Sequence, residues 1–237
     1  MSQPTVEQKV AQWNEWLGTD ANAPATVYKE LVDLAEIRYV FAEVHEMIHG
    51  NPALQQHSAF YEVFSLTYAH AVAMYIRRQV RTDGHSLRGL LGEIKRHADL
   101  VTLEWYIDLY TSGASERMKE FQERNARGVF AEHFAGNTAE GESLDPDIIQ
   151  SDIDQLGAIS KALQDFVNWR VAHAVMKEPS DVPTYRDLDD WAILLEDLLK
   201  KYLLLLQGSG LESVTPVLTH GWQDIFRVAW LPGANPT

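Results

Sequence analysis

Two short histidine-bearing stretches carry the residue types that catalysis or metal binding needs. The first is His45-Glu46-Met47-Ile48-His49. On a helix, positions i and i+4 share a face, so both imidazoles could hold one zinc ion while Glu46 serves as general base. Such a site needs a third ligand. The next histidine, His57, lies beyond a Gly50-Asn51-Pro52 break. The same spacing equally describes an amphipathic helix with two surface histidines.

The second stretch is Asn168-Trp169-Arg170-Val171-Ala172-His173. Arg170 and His173 are three apart and so share a helical face. Asn168 lies about 140° around the helix from His173. A His–Arg pair suits metal-independent cleavage of a phosphodiester: His173 moves a proton to or from the ribose hydroxyl, and Arg170 stabilises charge on the transition state. The alternative is that the two cations complement the dipole of a helix C-terminus and nothing more. Arg77-Arg78, with Arg81, Arg88, Lys95 and Arg96, forms the densest basic stretch. It suits either phosphate contact or pairing with carboxylates on neighbouring helices.

Positioning these groups falls to helices. Val6, Val10, Trp13 and Leu17 mark one stripe, stopped by Gly18. Leu31, Leu34, Ile37, Val40, Phe41, Val44 and Ile48 mark a second helix from Thr26 to Gly50. Ser58 is read as the cap of a third, over 59–81; Ser86 opens a shorter one through Ile94. Further helices are expected over 101–110 and 115–133. Gly136 to Ser143 shifts to Gly, Asn, Thr and Glu, marking an internal boundary candidate near 136–144. Pro146 then starts a helix expected to reach Val175. Thr184 and Asp187 have capping-box spacing ahead of a last long helix ending near Gln207. Trp222, Phe226 and Trp230 are spaced as a short amphipathic helix docking on the core. No alternating strand pattern and no repeat is present.

The 237 residues include no cysteine, which excludes disulfides, thiolate metal sites and a Cys nucleophile. With 34 Asp and Glu against 20 Lys and Arg, the net charge is −14. That field repels nucleic acid, so any RNA contact must come from a local patch. No DNA-binding motif is present. The polar start lacks the pattern of a secretory signal, and no run is long enough to span a membrane. A soluble, cytoplasmic, all-α protein is expected, with an N-terminal helix and linker over 1–25 and one helical domain over 26–237.

Several segments together resemble the HEPN superfamily, in the branch named for an abortive-infection phage-resistance protein of the AbiU type. They are Asn51-Pro52 through Phe60-Tyr61, Ala73-Met74 with Arg77-Arg78-Gln79-Val80, and Ser86-Leu87-Arg88 with Leu90-Leu91. The C-terminal half adds Asn168, Val171-Ala172-His173, Pro183-Thr184, Asp187-Leu188-Asp189, Lys200-Lys201-Tyr202 and the tail from Trp222 to Trp230. The resemblance spans residues 28 to 230 and implies a HEPN-like bundle with long antiparallel helices. It also implies a homodimer, RNA as partner, and no cofactor. In active HEPN ribonucleases an Arg separated by four to six residues from a His completes a site at the dimer interface. His173 matches that His; the Arg positions hold Phe166, Val167 and Asn168 instead. The resemblance thus points to a ribonuclease of phage defence or toxin-like kind, with His173 as acid/base, Arg170 as phosphate clamp, Asn168 as orienter, and Arg77 and Arg78 as secondary phosphate contacts. The competing expectation is a non-catalytic dimerisation or interaction protein.

Overall fold

The computed structural model describes residues 4–18, 26–52, 54–55, 59–136, 142–167, 182–218 and 221–227. Among them the regular structure is helical, apart from one isolated antiparallel bridge between Thr102 and Ser143.

Helix α1 spans Val6–Leu17. Thr5 and Gln8 form a reciprocal capping box at its start, and Gly18 ends it at φ 61°, a left-handed stop that a Cβ disfavours. Val10, Trp13 and Leu17 are buried, and this stripe packs on α4 (Leu87–Arg96). Helices α2 (Val27–His49) and α3 (Ala59–Gln79) are long neighbours. They run antiparallel: Arg78 at the end of α3 meets Glu30 at the start of α2, while Tyr61 meets His45 at the opposite ends. Gln79 is fully buried at the turn into α4. Its side-chain amide donates to Glu30 Oε2 at 2.5 Å, and its carbonyl accepts from the Leu87 N–H at 3.0 Å. One side chain thereby ties α2, α3 and the start of α4.

A single 3-10 turn at Ala98–Leu100 leads to α5 (Leu103–Thr111), which packs against α6 (Glu116–His133). Residues 142–144 then return to pair with 101–103 through the Leu103 N–H to Glu142 and the Leu144 N–H to Val101. Helix α7 follows as Pro146–Val167, and α8 as Tyr185–Gln207. The Thr184–Asp187 capping box forms, and Gly208 ends α8 in the left-handed region. One contiguous buried cluster runs from Val10 to Val214 and joins α1 to α8. Each fully buried Leu, Ile or Phe in it contributes about 1.5–3 kcal/mol.

Two details differ from the sequence expectations. Helix α3 stops at Gln79, not Arg81, because Arg81 folds onto Asp83 in the turn and Ser86 donates to the Arg81 carbonyl. The tail forms a 3-10 helix over Trp222–Arg227 with no buried residue, so it does not dock as an amphipathic α-helix there. Trp222 meets Tyr39 edge-on, and Phe226 remains exposed. Ser58, the expected cap of α3, lies outside the described residues, as do positions 168–175 at the end of the long helix. Trp13 is core; Trp16, Trp105 and Trp191 pack partly buried against it.

Candidate functional site at the α2–α3–α8 junction

Phe41 on α2 and Tyr68 on α3 stack nearly parallel, with ring centroids 3.7 Å apart. Phe64 and Tyr185 extend this aromatic stack. A cleft opens beside the pair on each of two sides. One is a groove of about 490 Å³ between α2 and α3. Its walls are Ile37, Val40, Phe41, Phe64, Ala71 and Tyr75, with Asp33 and Glu36 on the α2 rim. The other is a polar recess of about 260 Å³ lined by Ala35, Arg38, Tyr39, Ala42, Asp189 and Thr215.

The recess is organised by one half-buried cation. Arg38 Nε donates to Asp189 Oδ1 at 3.2 Å, and Nη1 donates to Glu196 Oε1 at 2.5 Å. The Tyr68 hydroxyl donates to the same Asp189 oxygen at 2.8 Å. Burial, reinforced by Asp189, pushes the Tyr68 hydroxyl well above its ordinary range, so it stays a neutral donor. Burial also raises the Glu196 carboxyl, and the opposing pull of Arg38 does not fully offset it. Among its lining residues the recess has no histidine and no activated nucleophile. Its inventory is a donor fork, one half-exposed carboxylate and aromatic walls, which suits binding more than bond cleavage.

The residues singled out in the sequence fare differently. Asn168, Arg170 and His173 lie outside the described residues. Arg78 is committed to Glu30 at 3.0 Å and sits 4.4 Å over the Tyr75 ring, so a phosphate there would compete with a carboxylate. Arg77 is half-buried and forms no ion pair among the described residues. Most other described cations also face carboxylates, including Arg81 to Asp83, Arg96 to Glu93 and Lys201 to Asp152. His45 and His49 are exposed on one helical face, with rings nearly parallel and 6.3 Å apart. His45 Nδ1 shares a 2.7 Å hydrogen bond with the Tyr61 hydroxyl, and Glu46 is exposed. Among the described residues no group of three or more His, Cys, Asp or Glu is arranged to hold a metal ion, and His57 is not among them. No described helix is long and apolar enough to cross a membrane.

Sequence reading passed over Arg38, Tyr68 and Glu196. The signal for Arg38 was a cation amid the apolar positions Leu34, Ala35 and Phe41. Asp189 and Glu196 are seven apart, one face of α8, which could have marked them as its partners. Comparison of the chain with protein-family models, with curated proteins and with solved structures returns no match.

Proposed function

We propose that this chain is a non-catalytic helical interaction protein whose working surface is the α2–α3 groove and the apolar strip beside it. The observation that carries the reading is the exposure of Phe60 and Val63, at 56% and 63%, on the helical face of α3 that continues the groove wall. Contiguous apolar surface of this kind marks sites of association. The pairing of Arg38 and Arg78 beside the groove and the charge of −14 support a protein partner over a nucleic acid. The test is direct: purified protein incubated with varied RNAs at low salt in EDTA is expected to neither bind nor cleave them.

The second reading is a HEPN-type, RNA-associated cytoplasmic homodimer acting as a metal-independent ribonuclease. Its support is the resemblance over residues 28 to 230. In it His173 is the general acid/base, Arg170 the phosphate clamp and Asn168 the orienter, with Arg77 and Arg78 as outer phosphate contacts. Cleavage that survives EDTA and vanishes in His173→Ala would install this reading in place of the first.

A further inference from the structure

We propose that the α2–α3 groove docks one amphipathic helix from a basic partner, an apolar face flanked by Lys or Arg. This names the partner class for the interaction reading above and rests on it.

The shape of the groove argues for a helix. Its walls are two long antiparallel helices, whose side-chain ridges repeat every turn and accept the ridges of a third helix laid between them. On α3 the positions 60, 64, 67, 71 and 75 are spaced four, three, four and four, a single stripe along the helix. That stripe is about 22 Å long, the length of roughly fifteen helical residues. Ala71 sits between Phe64 and Tyr75 on it, so the stripe dips at its centre where a large partner side chain can enter.

Charge selects the partner. Asp33 and Glu36 line the rim on α2. Lys29 already neutralises Asp33, and Arg78 is held by Glu30. Glu36 forms no ion pair among the described residues, although its charge reaches Lys29. The uncompensated charge at the rim is therefore negative, within a chain of net charge −14. A second copy of the chain would bring the same Glu36 and the same net charge against this face, which self-pairing penalises. An anionic membrane or an RNA is repelled for the same reason.

The experiment uses the full chain and two designed helical peptides with one shared apolar face, one flanked by Lys and one by Glu, followed by fluorescence anisotropy at low and high salt. The Lys peptide is expected to bind, more weakly at high salt, and the Glu peptide to bind at least ~10-fold less tightly. Val63→Asp and Phe60→Ala, both at exposed positions, are expected to weaken the Lys peptide ~10-fold or more. Glu36→Lys is expected to narrow the gap between the peptides. Phe121→Asp, at an exposed position on α6, is the control and leaves binding unchanged. Equal affinity for both peptides, or equal loss from Phe121→Asp and Val63→Asp, overturns the proposal. So does failure of the Lys peptide to bind, and so does a homodimer in sedimentation that Val63→Asp dissociates. None of these outcomes touches the RNA experiment that decides the interaction reading itself.

Discussion

An aspartate, a cation and a tyrosine meet twice in this molecule, to opposite effect. On the α7–α8 side, Asp152 Oδ2 accepts from Lys201 Nζ at 2.7 Å and from the Tyr202 hydroxyl at 2.8 Å. On the α2–α3–α8 side, Asp189 Oδ1 accepts from Arg38 Nε at 3.2 Å and from the Tyr68 hydroxyl at 2.8 Å. Burial separates them: the Asp152 side chain is 9% exposed and the Asp189 side chain 45%. Burial first, then Asp152, holds the Tyr202 hydroxyl far above its ordinary range, so the first cluster is a closed lock between helices. The second lies along a recess, where the Asp189 side chain stays half-exposed. Chemistry alone does not tell a lock from a lined pocket; what surrounds the carboxylate does.

The largest test of this contrast is Asp152→Ala. It strands a half-buried ammonium and a buried hydroxyl, and is expected to cost about 3 kcal/mol in urea unfolding, at the lower end for a broken buried pair because Lys201 keeps some solvent contact. Asp189→Ala is expected to cost below about 1 kcal/mol, since the half-exposed carboxylate is replaced by water from the recess and Arg38 keeps Glu196 as its partner. Equal losses at the two positions would erase the distinction. Tyr202→Phe, which removes one buried hydrogen bond and leaves the ion pair, should lie between them at about 1 kcal/mol.

A sharper probe is the pH profile of Glu196. Burial raises its folded pKa above the ordinary 4.5, so the folded state holds this proton more tightly than the unfolded chain. The stability it contributes is present below 4.5 and is lost as pH rises through the raised folded value. Glu196→Gln removes that titration, so its stability curve should be flatter than the parent's just above pH 4.5. Parallel curves would show that Glu196 is solvated in the folded protein. The smallest expected effects are those of Phe60→Ala and Val63→Asp on stability, within about 0.5 kcal/mol of the parent by thermal melting. A larger drop would mean that the strip packs against the protein itself and is not open for a partner.

Much of the framework was legible residue by residue. Thr184 with Asp187, and Gly18 and Gly208 beyond apolar stripes, mark helix ends in the sequence, and the structure caps α1 and α8 at those positions. The reason is range: a cap or a stripe is decided within four or five residues, where backbone geometry is the same in any fold. Pairing with neighbouring helices was one of two readings of the basic stretch, and among the described residues only Arg78 makes such a pair, Arg81 and Arg96 taking carboxylates close in sequence. Glu30 lies 48 positions from Arg78, and no local pattern links them. The tail shows the limit of periodicity. Trp222 and Phe226 have α-helical spacing, yet the segment winds as a 3-10 helix that buries neither ring, since spacing does not supply a surface to dock on.

From its own order of residues, this chain dictates an all-helical build, where most helices begin and end, and which stripe of each is apolar. Those are outcomes of short-range sterics, backbone hydrogen bonding and the 3.6-residue turn. The meeting of Arg38 with Asp189, 151 positions away, and the closing of water from Asp152 but not from Asp189, arise only when the helices pack. Solvent exposure is a property of the whole assembly of helices, and it is solvent exposure that makes one carboxylate a lock and the other a lining.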